Sequence, residues 1–392
     1  TADQTGDSEL EIKNKSYCPL PFDTVYSNNT GVYDLCCWSD HSESKEFFGD
    51  NARCDKVGPF DFFLSAKMEQ VRNKMLAGQK IDMCSTCYRQ EQTIGQSVRT
   101  KLLTERTPNK VEKINLRIRN FGNHCNLSCV MCIPYNSTSR YKELTDIGYS
   151  TKDWGEHPGV SYKSYELFKE DLIKNAKSIG TLSITGGEPF AIPKFWKFLL
   201  DDMPREMARE INLHIETNLT NLKWKNYKFT DLVNRYNQVR LLVSCDHFGE
   251  KLSFIRYPID VEQFENNLLH YHRYIDKLTL TVQLLNVFDL DQIKKYYREK
   301  FDLDVSTFSY VMETSKSGNP DWNVLSVRNI KDMHKQKIIE KYSHYNSNDK
   351  NFFSELGLAI KQDTADRVRS YLDLLSEKRQ MNWNELWKDL HV

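Results

Sequence analysis

Cys125-Asn126-Leu127-Ser128-Cys129-Val130-Met131-Cys132 sets three thiols at spacings of three and then two residues, directly after an apolar run. Thiols set this closely point to a metal group. A [4Fe–4S] cube has four iron corners, normally held by one thiolate each. Three protein thiols would therefore leave one iron open to a small molecule. A structural zinc ion would want a fourth protein ligand, and three core thiols would want no metal at all. The spacing favours iron–sulfur and leaves both other readings open.

The residues around this loop read as an α/β fold. Val111 to Arg119 alternates, with Ile114, Leu116 and Ile118 on one face, which predicts a half-buried strand running straight into the three-cysteine loop. A loop at the carboxyl end of a strand is where barrel-like α/β enzymes place their chemistry. A helix expected over about Ser161 to Ala176 precedes a strand at Thr181 to Thr185, which ends in Gly186-Gly187-Glu188-Pro189. Glycines allow a ligand to approach the backbone, and a carboxylate at the turn can accept bonds from an ammonium group. Such a turn is also ordinary loop chemistry. Further strands are expected at Ile211 to Thr217, Val239 to Cys245, Leu278 to Asn286 and Thr307 to Glu313. Helices at Pro193 to Met203, Thr230 to Tyr236, Val261 to Tyr274 and Leu290 to Lys300 alternate with them. Six strands joined by helical crossovers require parallel pairing.

The CxxxCxxC loop followed, one strand later, by Gly-Gly-Glu-Pro resembles the radical S-adenosylmethionine (radical SAM) enzymes. The resemblance implies a partial (β/α)6 TIM-like barrel over residues 111–315, open on one side to admit a substrate. It implies a [4Fe–4S] cluster on Cys125, Cys129 and Cys132, with SAM chelating the fourth iron through its amino and carboxylate groups. Reductive cleavage of SAM would then give methionine and a 5′-deoxyadenosyl radical that abstracts a substrate hydrogen. By the same resemblance Gly186, Gly187 and Glu188 meet SAM's amino group, and Met131 fills a position near adenine that is often aromatic. Asn218, from Glu216-Thr217-Asn218, would contact the ribose or sulfonium. Ser244-Cys245-Asp246-His247 resembles a segment whose serine approaches SAM's carboxylate. Arg256 adds a guanidinium suited to a carboxylate fork. Loop or helix capping is the plainer role for Asn218, Ser244 and Arg256. Cys245, inside an apolar run, reads as a core thiol.

A second thiol set precedes the barrel: Cys18, then Gly31, then Cys36-Cys37, and far downstream Cys84 and Cys87. Gly31 supplies a tight hairpin turn that would bring two strand-borne thiols together. An amphipathic helix within Asp61 to Gly78 would lead to the Cys84/Cys87 pair, closing a four-thiolate site. Zinc suits such a set as well as iron–sulfur does. The spacings resemble the twitch or SPASM auxiliary-cluster modules of radical SAM enzymes, and the short ligand set is twitch-like. Here the module, residues 1–110 with its connection, precedes the core instead of following it. Cys18, Cys36, Cys84 and Cys87 are the implied ligands of an auxiliary iron–sulfur cluster, with Cys37 a possible substitute and Cys54 a spare thiol.

Residues 316–392 read as helical, with apolar spacing at Ile330, Met333, Ile338 and Tyr342 and at Val368, Tyr371 and Leu374. Trp383 and Trp387 read as packing anchors. The 392 residues carry 54 Lys+Arg against 54 Asp+Glu, so no basic excess points to nucleic acid or to an anionic membrane. Ten cysteines crowded into clusters fit a reducing cytoplasm better than a disulfide framework. Thr1 to Lys15 lacks the pattern of a signal peptide, and no apolar run is long enough to span a membrane. The resemblance points to peptide or protein modification, with dehydrogenation of a sugar or aminocyclitol as the small-molecule alternative. It also implies an electron donor such as flavodoxin or ferredoxin. A zinc-stabilised interaction module and an iron–sulfur scaffold are the non-catalytic readings. The oligomeric state is not legible.

Overall fold

Burial alternates along the expected strands, and the alternation sorts their residues onto two unlike faces of one sheet. In β3 (Ile114–Ile118) the residues Ile114, Leu116 and Ile118 are buried while Asn115 and Arg117 are half-exposed. The same rhythm recurs in β5 (Asn212–Thr217), β8 (Gln238–Ser244) and β9 (Ile275–Val282). The apolar face joins one continuous core with Phe168, Phe195, Trp196, Leu232, Leu268 and Tyr297 from the crossover helices. The opposite face is polar.

The computed structural model describes residues 15–28, 31–105, 113–119, 121–149, 165–311, 324–346, 348–358, 365–388 and 390. Residues 1–14, the start of the expected strand at Val111, the helix start at Ser161, the strand end at Glu313 and the loop 314–320 lie outside them. The sheet comprises β1 (Thr24–Ser27), β2 (Tyr33–Asp34), β3, β4 (Ile179–Ile184), β5, β8, β9 and β10 (Val305–Tyr310). A separate two-stranded hairpin pairs β6 (Lys223–Trp224) with β7 (Tyr227–Lys228). In the large sheet the order is β10-β9-β8-β5-β4-β3-β1-β2, so the six expected strands lie side by side in chain order. All six pair in parallel. The fold is thus mixed α/β with a parallel sheet. Helical crossovers leave the carboxyl ends of these strands, and the loops that follow them, along one edge.

The sheet also runs beyond β3. The β1–β2 hairpin turns at Gly31, whose φ is 75°, and β1 pairs in parallel with β3 through Tyr26↔Arg117. That pairing extends the sheet from the strand that feeds the three-cysteine loop to the segment that carries Cys18 and Cys36.

Several boundaries move for local reasons. The strand expected to reach Asn286 stops at Val282, because the Asn286 side chain accepts the Gln283 N–H at 2.9 Å and turns the chain. The single helix expected within 61–78 is two, Pro59–Phe63 and Ala66–Leu76, with Ser65 capping the second. In the C-terminal helices Met333 and Leu374 are exposed, while Leu372 and Leu375 take the core positions beside Val368 and Tyr371. Trp383 and Trp387 are buried, and Trp387 donates its indole N–H to the Leu285 carbonyl at 2.7 Å.

Candidate active site

Two backbone bonds tie the three-cysteine loop to the segment around Arg256. Ser128 N–H donates to the Tyr257 carbonyl at 2.6 Å and Val130 N–H to that of Ile255 at 2.9 Å. Beneath the loop lies a buried charge network that sequence reading did not find. Arg379, at the end of the helix Ala365–Arg379, places Nε 2.7 Å from Glu143 Oε1 and an N–H 2.6 Å from the Ser128 carbonyl. Arg140 pairs with the same Glu143 and donates to the Val130 carbonyl at 3.1 Å. Burial pushes the Glu143 carboxyl up, but Arg379 and Arg140 outweigh it and hold it below the usual carboxylate range. Two residues separated by more than two hundred positions carry no local pattern, so this network had no signal in the sequence.

Cys125 and Cys129 are buried and Cys132 is half-buried. Burial pushes all three thiols up, Cys132 to about 12, so without a metal they keep their protons. A bound cation would reverse this. Leu127 N–H points at Cys125 Sγ at 3.5 Å, and Arg256 reaches Cys129 Sγ at 3.7 Å. N–H groups aimed at sulfur are the environment in which cluster thiolates sit. Among the described residues no three His, Cys, Asp or Glu side chains converge on a point that a single metal ion would fill. A cubane's ligands stand at separate iron corners, so that convergence is not what a cluster asks of them. The donors and their surroundings fit an iron–sulfur group.

The turn after β4 closes onto this loop. Gly187 has φ +55°, and a Cβ there would lie 2.3 Å from the His124 carbonyl oxygen and 2.8 Å from the Asn123 carbonyl carbon. The expectation was that the glycine admits a ligand; what it admits here is the backbone of the cysteine loop. Gly186 is also left-handed, with φ 95°. The Glu188 carboxylate is buried and accepts bonds from Asn218 N–H at 2.7 Å, Thr217 Oγ1 at 2.8 Å and Phe190 N–H at 3.2 Å. Burial outweighs these bonds and lifts it to about 7. Glu188 lies near enough to Cys125 to raise that thiol.

Asn218 follows β5 and is buried; its amide donates to Asn126 Oδ1 at 2.9 Å, tying the strand end to the cysteine loop. Ser244 ends β8 and is half-buried, and Met131 packs against the core. Arg256 sits 2.6 Å from Asp246 Oδ2 through Nε. The guanidinium expected to await a carboxylate ligand therefore already has an internal one, and Asp246 is the site residue that the sequence reading passed over. Its signal was present, since it lies two residues after Ser244.

The other thiol set also comes together. Cys18 lies two residues ahead of the helix Leu20–Asp23 and Cys36 two residues past β2, so neither is strand-borne as expected. The reason is local: Pro19 and Pro21 start a helix at once, and β2 is only two residues long. Cys84 ends a 3-10 turn and Cys87 lies in the helix Ser85–Ile94. Burial pushes the Cys36 thiol up, with the neighbouring thiols Cys37, Cys87, Cys84 and Cys18 adding to it, and burial pushes Cys18 up to about 12. Arg99 braces the set, donating to Glu91 at 2.9 and 2.5 Å and to the Tyr17 carbonyl at 2.9 Å. Cys54 and Cys245 are packed in the core. Among the described residues no helix is long and apolar enough to cross a membrane.

The stretch of residues 120–299, a little under half of the chain, matches the family model described as the Radical SAM superfamily. It contains the three-cysteine loop, the Gly-Gly-Glu-Pro turn, Asn218, Ser244 and Arg256. No curated protein matches the chain. Among solved structures it is similar to "Native anSMEcpe with bound AdoMet", at 16% identity and a TM-score of 0.36 over 58% of this chain and 62% of that one. "Native anSMEcpe with bound AdoMet and Cp18Cys peptide" matches at 16% identity and 0.36, over 58% and 61%. The chain thus spans about three fifths of the structures it matches.

Proposed function

We propose that the chain is a radical SAM enzyme that holds a [4Fe–4S] cluster on Cys125, Cys129 and Cys132 and binds SAM at the open iron. The observation that carries this reading lies within the matched domain. Two buried thiols and a half-buried third, the Glu188 carboxylate and the Arg256 guanidinium gather at the carboxyl ends of neighbouring parallel strands. When bound, the cluster and SAM would supply reductive cleavage and hydrogen-atom abstraction from the substrate. The protein's own part is placement. The loop backbone and Arg256 direct N–H groups at the sulfurs. Glu188, lifted to about 7, would be drawn into its ionised form by an ammonium group beside it. Ser244 and Arg256, the latter steadied by Asp246, lie on the side where a carboxylate would rest.

On this reading the six parallel strands form the partial (β/α)6 barrel. Cys18, Cys36, Cys84 and Cys87 hold an auxiliary iron–sulfur cluster, and a flavodoxin or ferredoxin supplies electrons. The substrate class carried forward is a peptide or protein. Anaerobic reconstitution with iron and sulfide, followed by dithionite and SAM, tests the core of it. About eight irons per chain with 5′-deoxyadenosine formed is the expected result. Zinc in place of iron, with no cleavage, would sink the proposal; about four irons with cleavage would remove only the auxiliary cluster.

A further inference from the structure

The polar face of the sheet carries charged side chains that the proposed function does not use, near the strand end that feeds the three-cysteine loop. Tyr26 on β1 and Arg117 on β3 are register partners, and Arg119 follows two residues later on the same face. Arg117 reaches across to Glu216 Oε1 on β5 at 2.5 Å, and Thr185 donates to Glu216 Oε2 at 2.8 Å. Those charges cancel. Arg119 is different: the Glu216 charge is felt there too, but among the described residues no carboxylate stands within ion-pair distance of it, and its Nε is buried without a hydrogen-bond partner. Its charge acts on Tyr26 and, more weakly, on Cys132. Burial keeps the Tyr26 phenol protonated, so it supplies no counter-charge. The side chain as a whole is half-buried, so the space before it is reachable.

From this arrangement we infer that Arg119 anchors the substrate by an anionic oxyacid group, a carboxylate or a phosphate, held at the polar sheet face beside Tyr26. A guanidinium fork matches either group in bidentate fashion, and a half-buried cation that no carboxylate bonds directly gains from one. The inference rests on the enzyme reading for its word substrate, but the anion site stands on the residues alone.

The test is calorimetric titration of the full, anaerobically reconstituted, SAM-saturated chain with sodium phosphate and with sodium acetate at fixed ionic strength. Wild type should show one saturable site, at least tenfold weaker in Arg119→Gln, retained within a few-fold in Arg119→Lys and unchanged in the surface variant Lys225→Gln. Tighter phosphate binding points to a phosphorylated substrate, and tighter acetate binding to a carboxylate. No saturable site in wild type, equal binding by Arg119→Gln, or equal loss in Lys225→Gln overturns the inference. If Arg119→Gln does not fold, phenylglyoxal labelling of wild type read by peptide mass spectrometry replaces it. Phosphate should then protect Arg119, and an unchanged labelling rate overturns the site. SAM cleavage is assayed on the same samples. Anion binding without cleavage sinks the enzyme reading and keeps this site, whereas cleavage without anion binding does the reverse.

Discussion

The loop of Cys125, Cys129 and Cys132 leaves a strand end and is surrounded by charge, with Arg256 and Asp246 above it and Arg140, Glu143 and Arg379 below. Cys18, Cys36, Cys84 and Cys87 sit among turns and short helices and chiefly face one another, with Arg99 as the nearby cation. One set is a thiol short of closing a cluster and is ringed by groups able to position something else. The other has four thiols and needs nothing more. Open metal sites do chemistry and closed ones hold structure or relay electrons, so on the proposed reading the contrast would assign different work to two groups that composition alone would count together.

The severest test of that contrast is Cys129→Ala. It should abolish 5′-deoxyadenosine formation while iron falls by only about half, because the closed set keeps its four ligands. Loss of all iron would mean that the two sets are one cooperative unit, and retained cleavage would mean that the ligands are misassigned.

Next in size is the support beneath the open loop. Arg379→Met leaves Glu143 and Arg140 buried around a missing partner, and breaking such a network costs about 3–5 kcal/mol. Thermal melting of the reconstituted chain should show that loss, together with preferential loss of iron from the open set. A variant that melts like wild type would show the network to be incidental to the loop.

Gly187→Ala asks for less. It places a methyl against the His124 carbonyl at a left-handed backbone position, a strain of roughly 1–3 kcal/mol. Arg99→Gln strikes the closed set in a comparable way. It removes two bonds to Glu91 and one to the Tyr17 carbonyl, for about 1–3 kcal/mol. Iron counts and melting curves should separate the two, with Gly187→Ala loosening the open set and Arg99→Gln the closed one. The same deficit from both variants would erase the distinction.

How much of this the sequence disclosed follows from the range of the interactions. Alternation at Ile114, Leu116 and Ile118 is a local signal, and it placed the strand that feeds the cysteine loop. The parallel order followed from the crossover helices. Pairing of β1 with β3 joins residues some ninety positions apart, and no periodicity announces it. The same holds for Arg379 with Glu143. Gly187 was legible as a special residue, but which backbone it admits depended on how two strand ends meet. Arg256 was legible as a cation, and its partner Asp246 stood in the quoted segment without being used.

The smallest expected effect bears on the closed set's count of four. Cys36 and Cys37 are adjacent, and adjacent side chains in an extended or turning chain seldom reach the same point. Cys37 is exposed whereas Cys36 is half-buried, and the Cys37 charge acts on Tyr26 and Arg117, on the polar sheet face. The charges acting on Cys36 are those of its neighbour Cys37 and then of Cys87, Cys84 and Cys18, so what sets Cys37 apart is its exposure and its reach to the polar face. Cys37→Ser should therefore leave iron content and SAM cleavage within error of wild type, while Cys36→Ala halves the iron. If instead Cys37→Ser halves the iron and Cys36→Ala spares it, the ligand has been assigned to the wrong neighbour. The closed site would then open toward the polar face, bringing its cluster to the edge of the space where Arg119 stands.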